Sequence, residues 1–373
     1  MTNSPAPATA AQKKEQRMKR VVIKIGSSTL VGEDGRLDRG FIGRLAIECA
    51  ALRNEGWQAV IVTSGSIAVG LRIMGHEGPR PTSMSTLQAA AAIGQVSLVG
   101  AYADTFQCFG LPVGQVLLTR ATTGVRESYL NARSTIEELL ELGAVPVINE
   151  NDTVAVDEIR FGDNDTLAAM VATAIDADLV VLLSDIDGLY TADPRKTEDA
   201  ELLETVSNLS AEIEASAGGV GSASGSGGML TKVAAARVLM SAGIPMVICE
   251  GHRTNAVTDA CHGEHVGTRF FDEANTGMPA RKSWIALGGK AKGRVTCDEG
   301  AARALQERGA SLLAVGLTAL EGAFEAGEPV DIADPAGRLL ARGLAGYSSA
   351  ELEPLLGVRG APEFINRDEL VVF

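Results

Sequence analysis

Arg20-Val21-Val22-Ile23-Lys24-Ile25-Gly26-Ser27-Ser28-Thr29 decides the fold. A β-branched run that breaks into glycine and small hydroxyl residues reads as a short buried strand with a tight turn after it. Lys24 is out of place inside such a run. A buried ammonium costs several kcal/mol unless it is paired, so a functional task is expected of it. The same grammar recurs downstream. Gly40–Glu55 has helical spacing through Phe41, Leu45, Ile47, Ala51 and Leu52. Ala59–Val62 is a second buried strand, and Thr63-Ser64-Gly65-Ser66 after it opens another helix. Ser85–Phe109 is a long alanine-rich helix, Pro112–Leu118 a strand, and Glu127–Leu142 a helix stopped by Gly143. Val145–Ile148 and Leu179–Leu183 are further strands, with Thr153–Phe161 alternating like a hairpin arm between them. Strands alternating with helices predict an α/β fold, a mostly parallel sheet sandwiched by helices.

Ligands of open α/β sheets sit beyond the carboxyl ends of the strands. Those ends carry Gly26-Ser27-Ser28-Thr29, Thr63-Ser64-Gly65-Ser66, Asn149-Glu150-Asn151-Asp152 and Ser184-Asp185-Ile186-Asp187-Gly188. Gly162-Asp163-Asn164-Asp165 opens a further helix at Thr166. Taken singly, such runs are ordinary caps and turns. One more run stands apart: Gly225-Ser226-Gly227-Gly228-Met229-Leu230-Thr231-Lys232, leading into a helix at Val233–Ala242. Glycines admit a close ligand, a helix N-terminus offers free N–H groups, and the lysine adds a mobile cation. This is not a Walker A loop, because Thr231 precedes Lys232. Two readings of the run stand, a plain linker or a phosphate cradle.

Composition narrows the class. The chain has 373 residues, 46% of them apolar and 21% charged, room for about two globular domains. A net charge of −14 disfavours nonspecific binding to nucleic acid or anionic membrane. No apolar run approaches the roughly 18 residues of a membrane-spanning helix. Residues 1–17 lack a hydrophobic stretch and read as a frayed tail rather than a signal peptide, so a cytoplasmic chain is expected. Five scattered cysteines suggest no disulfide framework. Cys249, His252, Cys261 and His265 have a spacing that can mimic a zinc site; the alternative has Cys249 ending a buried strand and the others on a surface loop. Beyond a linker at 274–283 the pattern changes to short strands, Arg294–Thr296, Leu312–Val315, Val330–Ala333, Arg338–Leu344 and Leu370–Phe373, around one helix at Asp298–Arg308. These predict a small, mainly β barrel-like domain over 284–373.

No Ser-His-Asp or Cys-His arrangement is evident. A carboxylate acceptor needs no general base, since it is ionised at neutral pH. Its difficulty is to meet another anion, and two lysines, glycine amides and Mg²⁺ suit that task. Val22–Ser28, Val62–Ala68, Ile148–Asp152, Phe161–Asp165 and Gly225–Lys232 together resemble the amino-acid kinase family. Val295–Ala301 and Gly346–Ser349 resemble the PUA module. The resemblance implies a catalytic domain over 18–273 that phosphorylates the side-chain carboxylate of L-glutamate with ATP and Mg²⁺, opening proline synthesis. It implies that Lys24 and Lys232 neutralise the moving phosphoryl group, that Asp165 positions them, and that Gly26 and Gly65 lend amides. It also implies that Ser64, Asp152 and Asn164 hold glutamate. Lys24, Ser184, Asp185, Ser226, Gly227, Gly228, Met229, Leu230, Thr231 and Lys232 would hold ATP; Ser184 keeps a hydroxyl where the family more often has Thr. Feedback by proline and a homo-oligomer are further expectations. Acceptors such as aspartate, N-acetylglutamate, carbamate or a nucleotide stay open. RNA binding by the PUA-like part is disfavoured, because residues 281–373 carry 11 basic against 13 acidic side chains.

Overall fold

A computed structural model describes residues 17–119, 126–154, 164–192, 194, 197, 199–209, 213, 228–272 and 291–372. The first domain runs β1 (Lys19–Ile25), α1 (Ser27–Leu30), α2 (Arg39–Asn54), β2 (Trp57–Val62), α3 (Ser66–Ile73), α4 (Met84–Gln107), β3 (Val113–Leu118) and α5 (Arg126–Glu141). It continues with β4 (Val145–Glu150), α6 (Asn164–Ala174), β5 (Leu179–Ser184), β6 (Thr205–Val206), α7 (Met229–Ser241), β7 (Met246–Glu250), α8 (Ala256–His262) and β8 (Gly267–Phe270). The strands form one sheet in the order β3-β4-β2-β1-β5-β7-β8-β6. Neighbours are parallel except β7 and β8.

Strand periodicity sorts the two faces of this sheet. Val21, Ile23 and Ile25 of β1 look to the layer of α2, α4 and α8, with Phe41, Leu45, Leu98, Tyr102 and Val257 in the same core. Val22 looks the other way, to α5, α6 and α7, with Ile136, Met170, Val171 and Leu239. Lys24 shares the parity of Val22 and so falls on the α6–α7 side. The chain leaves β1 toward β2 on one flank and crosses back to β5 on the other, so the switch point of the sheet lies beside β1. Helix α6 is buried along its whole length, as a helix enclosed by a sheet and its neighbours must be.

The second domain holds β9 (Gly293–Cys297), α9 (Glu299–Arg308), β10 (Leu312–Leu313), β11 (Leu317–Gly322), β12 (Pro329–Ala333), β13 (Leu339–Leu344), α10 (Ser349–Leu352), β14 (Glu363–Ile365) and β15 (Leu370–Val372). A five-stranded sheet β11-β9-β12-β13-β15 and the pair β10–β14 share a core around Val295, Leu305, Val330, Ile332 and Phe364. This matches the expected mainly β architecture.

Several boundaries differ from the sequence reading. Helix α7 opens at Met229, four residues before Val233, because its first turn faces inward with polar side chains that apolar spacing does not reveal. Strands β6, β8, β11 and β14 are short or half-exposed and lack a period-2 signature long enough to detect. The linker at 274–283 and residues 155–161 of the expected hairpin arm lie outside the described residues, as do residues 1–16. Arg17, read as tail, has its Nη1 3.0 Å from Asp178 Oδ2.

Candidate active site

The inward parity of Lys24 brings its Nζ to 2.5 Å from Asp165 Oδ1, while Lys232 Nζ stands 3.3 Å from Asp165 Oδ2. Asp165 is fully buried and each lysine is 6% exposed. Three elements far apart in sequence therefore meet at one carboxylate: the end of β1, the first turn of α6 and the first turn of α7. Burial alone pushes the Asp165 carboxyl up, but Lys24 and Lys232 outweigh it and hold the group below the usual carboxylate range. The helix N-terminus favours the same charge state. Thr231 Oγ1 lies 2.8 Å from Asp165 Oδ2 and 2.7 Å from Gly228 O; its single proton serves one of them at a time. Among the described residues, two cations thus stand around one anion at the strand ends. That arrangement suits an incoming anion that gains charge during reaction.

A second polar group stands beside it, beyond β2 and β4. Asn164 Nδ2 lies 2.7 Å from Thr63 O, 2.8 Å from Ser64 Oγ and 3.1 Å from Asn149 Oδ1, and its two protons are shared among these three acceptors. Ser66 Oγ donates to Asp152 Oδ2 at 2.9 Å. Burial pushes the Asp152 carboxyl above its usual range, against the Ser66 hydrogen bond and the charge of Arg80, which pull it down. Ser64, Asp152 and Asn164 thus fall around one corner of the sheet. Asn149 joins them and was not singled out from the sequence. Its signal was there: an amide at the end of an otherwise apolar buried strand.

Gly65 and the glycines of α3 and α4 explain how this corner is assembled. Gly65 has φ +95°, and a Cβ there would stand 2.7 Å from Val31 Cγ2, so only glycine fits. A Cβ on Gly70 would meet Ala90 O at 1.7 Å, and one on Gly94 would meet Ser66 O at 1.8 Å. Helices α3 and α4 therefore cross backbone to backbone. Gly26 differs. Its N–H donates to Leu183 O at 3.2 Å, extending the β1–β5 ladder, and an added Cβ there meets only ordinary contacts.

On the opposite flank, Ser184 Oγ donates to Asp185 Oδ1 at 3.1 Å at the end of β5. Gly228 caps α7 with extended backbone and no side-chain hydrogen bond, and Leu230 is exposed. Ser226 and Gly227 lie outside the described residues. Among the described residues no three His, Cys, Asp or Glu side chains gather to hold a metal ion, and Asp165 is taken up by lysines.

The cysteine and histidine cluster disperses. Cys249 is buried in β7 and Cys261 sits on α8 rather than on a surface loop, while His252 and His265 lie on exposed loops as expected. Burial pushes the Cys249 and Cys261 thiols up to about 12, away from the thiolate a metal needs. His262 Nε2 is 2.6 Å from Glu55 and His265 Nδ1 is 3.9 Å from Glu204. No described helix is long and apolar enough to cross a membrane.

A mostly parallel sheet with a lysine–aspartate–lysine group at its switch point is suited to phosphoryl transfer. Residues 19–250 match the Amino acid kinase family and residues 293–360 match the PUA domain. Glutamate 5-kinase of Geobacter metallireducens is 45% identical over 368 residues, covering 96% of this chain and 98% of its own. Glutamate 5-kinase of Burkholderia thailandensis is 47% identical over 366 residues, covering 95% and 98%. An X-ray structure of isopentenyl phosphate kinase, 19% identical, aligns with 67% of this chain and 99% of its own at a TM-score of 0.45, too low to carry an argument. The chain belongs to the amino acid kinase family, a family of phosphotransferases, and carries a C-terminal PUA domain.

Proposed function

We propose that this chain transfers the γ-phosphoryl group of ATP to the side-chain carboxylate of L-glutamate, giving ADP and L-glutamyl 5-phosphate for proline synthesis. The observation that carries the reading is the Lys24–Asp165–Lys232 group beside the Asn164–Ser64–Asp152 corner, in a chain 45% identical to a glutamate 5-kinase over nearly its whole length. A carboxylate oxygen attacks Pγ, the bond from Pγ to the β,γ-bridging oxygen breaks, and ADP leaves with that oxygen. No proton changes hands, which accords with a corner built without a histidine.

In this reading Lys24 and Lys232 neutralise the equatorial oxygens and Asp165 holds both ammonium groups in place. Gly65 leaves its amide open at the start of α3, and the tight turn it makes carries Ser66 to Asp152. Gly26 serves through the strand end it shapes, since its own amide is engaged. Asp152, ionised, faces the substrate ammonium, while Ser64, whose oxygen accepts from Asn164, is held by it to donate its hydroxyl to a carboxylate. Ser184, Asp185 and the 226–232 run receive ATP, with Thr231 also steadying Asp165. Mg²⁺ supplies further charge neutralisation on the phosphates. The cytoplasm, which holds both substrates, is the compartment this implies, and a homo-oligomer is the assembly we expect. Proline, an α-amino acid like glutamate, would compete at the same corner; turnover at subsaturating glutamate that ignores added proline would remove that element.

An acyl phosphate is captured by hydroxylamine as a hydroxamate. Incubation with Mg·ATP, L-glutamate and hydroxylamine should yield glutamyl hydroxamate and ADP in equal amounts. ADP without hydroxamate would overturn acyl transfer.

A further inference from the structure

We infer that Gln95, on helix α4 and behind the acceptor corner, is a positioning residue for the phosphoryl acceptor, acting through Asn149. The inference deepens the proposed reading and rests on it. Gln95 Oε1 accepts from Asn149 Nδ2 at 2.8 Å. Asn149 Oδ1 in turn accepts from Glu150 N at 2.9 Å and from Asn164 Nδ2 at 3.1 Å. A backbone N–H can only donate, so the atom of Asn149 that faces Glu150 is its oxygen. Its nitrogen must then face α4, and only an acceptor there can satisfy it. Gln95 supplies that acceptor. Without it, a 1% exposed amide is left with an unmet donor and a reason to rotate, and rotation would turn a donor toward Asn164.

The position of α4 is itself fixed at this level. Gly94, one residue earlier, is where the helix touches Ser66 O, and Ser66 holds Asp152. Tyr102, two turns further on, has its hydroxyl 3.1 Å from Thr63 Oγ1 at the end of β2, and Thr63 O accepts from Asn164. Gly94, Gln95 and Tyr102 of one helix thus all reach the acceptor corner. Gln95 Nε2 is buried and, among the described residues, has no partner. Of the two ends of this amide, the oxygen is the one that makes a hydrogen bond among the described residues. Nothing about core packing asks for that oxygen, because methionine fills the same space.

The test is steady-state kinetics on the full chain with Mg·ATP and L-glutamate. Gln95→Met should raise KM for glutamate about tenfold, leaving KM for ATP within about twofold and kcat little changed. Gln95→Glu keeps the acceptor oxygen and should recover most of the loss. If Gln95 acts only through Asn149, adding Gln95→Met to Asn149→Ala should cost nothing further in glutamate KM. Equal losses for both substrates, no rescue by glutamate, or full additivity with Asn149→Ala would overturn the inference. Should the methionine variant fail to fold, Gln95→Ala reads the same split. Wild-type enzyme that does not turn over glutamate would overturn the proposed function and this inference together; wild-type turnover with unaltered variants would overturn only the inference.

Discussion

In the proposed reaction Lys24, Asp165 and Lys232 carry the chemistry, and Lys232 and Asp165 each make a separate prediction. Lys232→Ala should lower kcat at least ~100-fold, because it removes one of the two cations placed to face the moving phosphoryl group. Unchanged kcat would remove Lys232 from the mechanism. Asp165→Asn leaves two buried cations facing each other and should cost about 3–5 kcal/mol of stability at neutral pH. The Asp165 carboxyl is held below its ordinary range, so its contribution exists above the unfolded value and is lost as pH falls through the folded one. Denaturant midpoints of wild type and Asp165→Asn should therefore converge in acid; a constant gap would contradict this. For Asp152 the shift is upward, so kcat/KM for glutamate should fall on acidification from a pH above the usual carboxylate range. Ser66→Ala removes a hydrogen bond to the ionised form and should move that limb to higher pH, whereas an unmoved limb would detach Ser66 from Asp152.

At the scale of elements, the α3–α4 crossing sets the acceptor corner. Gly94→Ala places a methyl where Ser66 O stands and should cost about 1–3 kcal/mol or more, with glutamate KM rising more than ATP KM. Gly100→Ala on the same helix meets nothing within 4 Å and should be neutral or stabilising by up to about 1 kcal/mol. Thermal midpoints of the two variants, compared directly, check the contrast; equal losses would mean that the crossing is not the cause. This crossing was not legible in the sequence. Gly70 and Gly94 sit inside helical runs with no local signal, since their reason is a partner helix distant in the chain. The longer buried strands and Lys24 were legible, the latter because a cation in a β-branched run conflicts with its own surroundings. So were the polar strand ends. Gln95 was not, since an isolated amide on a helix looks the same whether it faces solvent or another amide. The start of α7 was missed for a related reason: Thr231 and Lys232 point inward to a charge that only the folded chain supplies.

The whole molecule is an acidic two-domain protein, with a net charge of −14 over 373 residues. Every described residue assigned to the reaction lies in the larger domain, between Lys24 and Lys232. The near-neutral balance of residues 281–373 offers little attraction for a phosphate backbone. Filter binding with single-stranded RNA at low salt should show no retention; retention that fades steeply with added salt would contradict that. The central claim, a phosphotransferase whose acceptor is the glutamate side chain, is tested most directly by ADP release from Mg·ATP with five acceptors offered separately: L-glutamate, L-aspartate, N-acetyl-L-glutamate, carbamate and UMP. Turnover with L-glutamate alone is the predicted result. Turnover with a different acceptor, or with none, would contradict it.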